Sequence, residues 1–225
     1  MSEYTAKRAQ TRGRLLAAGQ ELLPGAARLG LEQALGPGRV TRRAAVSRQT
    51  WYRYWRADES AYLEELLGAT LEGVTLPLPA RLAVAPAGVT DGAAAARALT
   101  TAHFALVTQR RVALAHLLGA VLALEDRFLE AEGGTRPSAA PEIVRAYHLR
   151  VHEMLTDAYR ELLEAWGRRP RPGTGLGQLV ESIAALADGF ALRAIADPER
   201  SSGEQFAPAA VTFLEALTVP DPTST

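Results

Sequence analysis

The chain contains no cysteine. That excludes a disulfide scaffold, a thiolate zinc site and a cysteine nucleophile. Aromatic residues make up only 6% of its 225 positions, and β-branched residues are sparse beside alanine and leucine. This balance favours helix. Neither sign of charge prevails, since 25 Lys and Arg meet 25 Asp and Glu. A long hydrophobic run is missing too. The longest uncharged apolar stretch, Val112 to Leu124, has thirteen residues between Arg110-Arg111 and Glu125-Asp126. It is too short to span a bilayer and reads as a buried helix. Met1-Ser2-Glu3-Tyr4 leads into no apolar h-region, so neither a signal peptide nor a membrane partner is expected, and the expected compartment is the cytoplasm. What remains, 48% apolar and 22% charged residues, is the composition of a soluble globular protein of one or two domains.

The zero net charge conceals a division. Residues 1–56 hold eleven Lys and Arg against three Asp and Glu, a net +8, and residues 57–225 carry the compensating −8. A dense basic module is the electrostatic footprint of a polyanion binder. The same counts also fit a solvated, arginine-rich face.

Apolar periodicity predicts helices throughout and no strand pattern of note. A first helix is expected over Ala6–Leu23, with Leu15, Leu16, Ala18, Leu22 and Leu23 on one stripe, ended or kinked by Pro24-Gly25. Residues 26–38 offer leucine anchors interrupted by Gly30, Gly36, Pro37 and Gly38. Pro37 suits the first turn of a second helix, ending near Ala44 or Ala45. A tight turn follows. Ser47 is a good N-cap for a short helix over Arg48–Trp55, and Asp58 one for a helix to about Leu71. Residues 73–91 read as an irregular connection. Further helices are expected over Ala93–Gln109, Arg110–Leu124, Glu142–Trp166, Leu176–Ala196 and Phe206–Leu217, with loops over 131–141 and 167–175.

Helix, sharp turn with a capping serine, and a second short helix together make a helix-turn-helix layout. A recognition helix enters the major groove with its N-terminal residues foremost. It needs forked donors and acceptors for base edges, and cations and hydroxyls for phosphates. Arg48, Gln49, Tyr52, Arg53 and Arg56 offer these groups, joined by the hydroxyls of Ser47 and Thr50 and by Arg42 and Arg43 of the preceding helix. Trp51 and Trp55, four apart, share a face that suits core packing, and the spacing leaves Tyr52, Tyr54 or both outside for phosphate contact.

The segment Ala44-Ala45-Val46-Ser47-Arg48-Gln49-Thr50-Trp51-Tyr52-Arg53-Tyr54-Trp55 resembles the Ala-Gly-Val-Ser-x-x-Thr-Leu-Tyr-x-His/Tyr-Phe signature of TetR/AcrR-type repressors. Leu15-Leu16-Ala17-Ala18 with Leu22-Leu23 resembles that family's first helix. Asp188-Gly189-Phe190-Ala191-Leu192-Arg193-Ala194, followed by Asp197-Pro198-Glu199, resembles its dimerisation helix. The likeness is specific over about residues 12–67, moderate over 176–200 and architectural between. It implies an all-α homodimer that binds a near-palindromic DNA operator and a small-molecule effector. Residues 1–56 would be the helix-turn-helix head, and residues 57–225 the effector-binding and dimerisation body. Three departures stand out: Val40-Thr41 where members usually carry Ile-Ala, Gly36-Pro37 where many place Thr or Ser, and Asp58 where a Lys is common. The stretch between the first two helices is also a few residues longer than usual.

Leu176–Ala196 has three charged residues in twenty-one. A helix apolar on most sides is covered on most sides. Leu179, Ile183, Leu186, Phe190 and Ala194, with Phe206, Ala210, Phe213 and Leu214 of the last helix, are therefore expected both in the core and at a second subunit. A central helix in a monomer is the other reading. His103, Phe104, Val107, His116, Leu117, Tyr147, His148, Val151, His152 and Phe190 scatter polar groups among apolar helices, as in a mainly hydrophobic effector pocket, although each one alone reads as core. His148 and His152 could share a metal on one helical face, but the zincin pattern fails at Met154-Leu155-Thr156 and no metal is expected. Gly173-Thr174-Gly175-Leu176-Gly177 lacks the lysine of a phosphate loop. No cofactor is implied. A repressor released by a small, largely apolar effector is the leading expectation, with no enzyme activity. Two rivals are an enzyme with an appended basic module, and a helical interaction protein whose basic head meets RNA or acidic partners.

Overall fold

The computed structural model describes residues 3–56, 58–75, 91–131, 139–197 and 199–222. The architecture is all-α, in two compact units: residues 1–73 with 114–145, and residues 74–113 with 146–225. Among the described residues no single helix is long and apolar enough to cross a membrane.

The first unit begins with α1 (Glu3–Leu22). A 3₁₀ turn, Leu23–Gly25, follows with Pro24 in its first turn, because proline can start a helical turn but not continue one. The leucine anchors of 26–38 become two short helices, α2 (Ala26–Leu29) and α3 (Leu31–Leu35). Gly30 separates them at φ 79°, a backbone state that glycine adopts at no steric cost. Then come α4 (Pro37–Arg43), α5 (Arg48–Trp55) and α6 (Glu59–Thr75). Asp58 caps α6, accepting the Ala61 N–H at 2.9 Å. Leu15, Leu35, Val40, Trp51, Tyr62 and Leu66 form a closed core, each 2% exposed or less.

The second unit starts with α7 (Gly92–Val107), capped by Asp91. Next is α8 (Arg110–Ala131), which runs beyond the expected Leu124 and whose residues from Leu114 on belong to the first unit. Then come α9 (Ala140–Trp166), α10 (Leu176–Ala196) and α11 (Gly203–Leu217). A Ser202–Gln205 capping box opens α11. Leu99 and Leu106 of α7, Leu155 and Tyr159 of α9, Leu179 and Ile183 of α10, and Leu214 of α11 interlock in the main core. One correction concerns strands. The sequence has no strand pattern, yet β1 (Arg168–Pro170) pairs antiparallel with β2 (Thr218–Pro220). Three residues are too few to show a period of two, and it is tertiary placement that brings the segments together. Arg168 fastens the pair, donating to Thr218 Oγ1 at 2.7 Å and to the Glu215 carbonyl that ends α11. The connection expected over 73–91 lies largely outside the described residues, with α6 reaching Thr75. The loop expected over 131–141 does so over 132–138.

His103 is a polar group in this core. It is 1% exposed, with Nδ1 3.4 Å from the Tyr159 hydroxyl. Burial lowers its pKa from 6.5 to about 4 and pushes the Tyr159 phenol up, because a charged imidazolium or phenolate would lose its hydration there. Between those pH values the unfolded chain holds a proton that the folded chain refuses. Stability is therefore whole above about pH 6.5 and falls as pH drops toward 4, by about 3 kcal/mol at the limit. Urea denaturation at pH 7 and pH 5 is expected to show this slope in the wild type and a flatter one in His103→Leu; equal slopes would remove His103 as its source.

Candidate nucleic-acid interface

Ser47 opens α5 with an extended backbone, and its Oγ accepts the Thr50 N–H at 3.3 Å. This is the local bond that makes serine a helix start. The turn before it needs a residue in the left-handed region, and Ala45 takes that place at φ 53°. Arg14 of α1 closes the turn from behind, donating to the Ala44 carbonyl at 2.6 Å. A cation there satisfies an orphan carbonyl and the negative end of α4 together. Arg43 pairs with Glu21 of α1.

The two faces of α5 differ sharply. Trp51 and Trp55 are 0% and 5% exposed. Their rings lie 5.6 and 4.9 Å from the Tyr62 ring of α6, edge to face. The Trp55 indole N–H donates to Glu65 Oε2 at 2.8 Å, and Arg12 of α1 donates to the same oxygen at 2.6 Å. One carboxylate thus ties α1, α5 and α6. On the other face Arg48, Gln49, Tyr52 and Arg53 are exposed, as are Arg42, Arg43, Ser47 and Arg56 beside it, with Thr50 half-buried. Tyr54 is half-buried as well. Its hydroxyl donates to the Arg8 carbonyl at 2.9 Å, and the Arg8 guanidinium lies 5.7 Å from its ring centroid.

The Arg48 guanidinium rests against Gly38 of α4, so close that a Cβ there would stand 2.3 Å from Nη2. An open polar groove of about 440 Å³ surrounds it, lined also by Gln33, Arg39, Tyr52 and Glu59. Arg39 and Gln33 were not among the residues expected from the sequence. Arg39 sits four residues before Arg43, on the same side of α4, and that spacing is a usable signal. Gln33 carries none, because its place depends on the path of α3.

The effector-pocket candidates do not all converge. His116 and Leu117 fall in the first unit. In the second, Phe104 stacks on Phe206 with centroids 4.9 Å apart, and Val107 and Phe190 join them in one apolar cluster. Tyr147, His148, Val151 and His152 lie along α9. His152 Nδ1 is 3.3 Å from Glu181 of α10. The Tyr147 phenol is pushed up to about 12, mainly by burial and further by Asp188. Desolvation raises the Asp188 carboxyl, with His148 acting against it and Glu181 reinforcing it. Among the described residues no group of three or more His, Asp or Glu is placed to hold a metal. Of the residues expected to meet a second subunit, Leu179, Ile183, Phe206, Ala210 and Leu214 are 0% exposed inside the subunit. They have no side-chain surface to give a partner, because the subunit's own core covers them. Leu186, Phe190, Ala194 and Phe213 are half-buried, and Leu192 is 71% exposed.

Residues 133–219 match the family described as BetI-type transcriptional repressor, C-terminal. A TetR-family transcriptional regulator from Mesorhizobium loti superposes with a TM-score of 0.67 at 14% identity, covering 96% of each chain. The fold is that of TetR-family regulators, and residues 133–219 carry the BetI-type C-terminal domain. FadR from Bacillus subtilis, solved in complex with stearoyl-CoA, has a TM-score of 0.57 at 13% identity and covers 89% of this chain and 96% of its own. NemR from Escherichia coli in its reduced form has 0.58 at 16%, with 95% and 100% covered. No curated protein matches the sequence. In this chain the turn position before Ser47 is Ala45, whose left-handed backbone carries steric strain.

Two stability measurements follow. Ala45→Gly is expected to stabilise by about 0.5–1 kcal/mol, the relief of αL strain less the added unfolded-state entropy. Glu65→Ala is expected to cost about 1–3 kcal/mol, since the Trp55 indole N–H loses its acceptor. Urea titrations at neutral pH check both; a destabilised Ala45→Gly or a neutral Glu65→Ala would contradict these assignments.

Proposed function

We propose that the chain is a ligand-responsive, DNA-binding transcriptional repressor without enzyme activity, acting as a homodimer on chromosomal DNA in the cytoplasm. One observation carries this reading. The Ser47-capped helix buries both indoles and turns Arg48, Gln49, Tyr52 and Arg53 outward, within a segment of net charge +8. Residues 1–56 would serve as the DNA-binding module and residues 57–225 as the effector-binding and dimerisation module.

Each subunit would place α5 in a major groove, with two half-sites of a near-palindrome about 34–36 Å apart or a further turn away. Arg48 and Gln49 would read base edges. Arg39, Arg42, Arg43, Arg53 and Arg56, with the hydroxyls of Ser47, Thr50, Tyr52 and Tyr54, would hold phosphates. The dimer face would use the half-exposed Leu186, Phe190, Ala194 and Phe213, with Leu192. The effector pocket would draw on Phe104, Val107, Tyr147, His148, Val151, His152 and Phe190. The stearoyl-CoA in the FadR complex supports an effector with a large apolar part. Effector binding would favour a conformer whose heads no longer match the operator, and DNA would weaken effector binding by the same factor.

Selection from random duplexes supplies the operator and tests the roles. Arg48→Ala and Gln49→Ala are expected to lose about 1–3 kcal/mol on the selected site while random duplex is little affected. Arg53→Ala is expected to weaken both alike and reduce the salt slope by about 1. Equal losses on selected and random duplex for Arg48→Ala would overturn its base-reading role, and binding without duplex sequence preference would favour an RNA- or acid-binding head.

A further inference from the structure

The first unit contains a second concave site, separate from the groove around α5. Leu23, Ala26 and Leu31, on the segment that joins α1 to α4, face Leu114, Leu117 and Val121 of α8 across a cavity of about 250 Å³. The α8 residues are spaced three and four apart, so they form one stripe. Among the described residues its lining is aliphatic apart from glycine. Leu117 is 51% exposed, and Leu124, seven residues further along the same stripe, is 52% exposed. Two half-exposed leucines on one helical face of this small unit mark it out from scattered surface apolar residues. The opposite wall belongs to the segment that joins α1 to α4, and Gly30, with its positive φ, sets the turn that shapes it.

We propose that this cavity binds a small, uncharged hydrophobe, an aromatic or short aliphatic molecule of about ten non-hydrogen atoms. The volume exceeds the roughly 150 Å³ apolar cavity that accepts a single benzene ring. A charged ligand would find no polar partner on the described lining and would lose its hydration without return. A macromolecular partner fits the space less well, because a stable protein interface needs about 800 Å² per side. The site shares no residue with the effector pocket proposed for the second unit. Its ligand would meet residues of the segment leading into α4, so occupancy can bear on the head directly.

Naphthalene is a suitable probe, titrated against the full chain without DNA and followed by its own fluorescence and by calorimetry. The expected result is saturable binding in the micromolar to millimolar range. Leu117→Gln, at a half-exposed position, and Ala26→Leu, which fills the cavity, are each expected to weaken it at least about tenfold, with far-ultraviolet circular dichroism unchanged. Leu149→Ala, at an exposed position of α9 outside both pockets, is expected to leave it as it is. Absence of saturable binding overturns the proposal, and so does binding that falls with Leu149→Ala and not with Leu117→Gln. If sedimentation shows that Leu117→Gln converts dimers to monomers, the stripe is a subunit contact and the proposal fails in that way. These outcomes involve no operator, so they stand apart from the fate of the repressor reading.

Discussion

Three rings hold α5 in place. Trp51 and Trp55 project from one side of α5 onto each other and onto Tyr62 of α6, with centroid separations of 4.9–5.6 Å. An eight-residue helix is too short to be stable by itself in water, so α5 exists because its indoles are buried. Each ring pair adds about 0.5–1.5 kcal/mol beyond the area it removes from water. Among the described residues the Tyr62 hydroxyl and Trp51 Nε1 meet no hydrogen-bond partner, a cost that this packing must outweigh. Burial pushes the Tyr62 phenol up, and the nearby Glu65 adds to the effect, so this ring stays neutral. The outward face of α5 can stay polar and exposed only because the inward face has satisfied the demand for stability.

The charges of the first unit divide by the same logic. Arg12 and Arg14 turn inward, one to Glu65 and one to the carbonyl that ends α4, and Arg43 takes Glu21. These cations orient helices. Arg48, Arg53 and Arg56 lie on or beside the outward side of α5. Surface pairs such as Arg43 with Glu21 contribute little to stability and can exchange partners at small cost. The Arg14 bond to a helix end is a different case, because losing it leaves a polar backbone group without a partner. A basic count of eleven in residues 1–56 therefore overstates the cations left without an intramolecular role.

How much was legible in the sequence depended on how local each cause was. Ser47 as cap, Arg48–Trp55 as helix, Asp58 as cap and Leu176–Ala196 as helix follow from bonds and periods within a few residues, and the structure reproduces them. The two tryptophans could be assigned inward from their spacing of four. The path of residues 26–35 could not be read, because leucines and glycines there fit several turns and only contact with α1 and α4 selects one. Nor did the sequence separate the two roles expected of α10 and α11. Leu179, Ile183 and Leu214 have the pattern of an interface as much as of a core, and the subunit's own packing is what covers them.

The sequence by itself determined the helical class, the Ser47-capped short helix and the imbalance of charge, since these arise from propensity, local hydrogen bonding and composition. Only the tertiary structure decided that Glu65 joins three helices, that Arg48 lies on Gly38, that His103 sits neutral beside Tyr159, and that an aliphatic cavity opens against α8. Each of these depends on side chains brought together from distant parts of the chain, where burial and geometry, rather than residue type, set the energy.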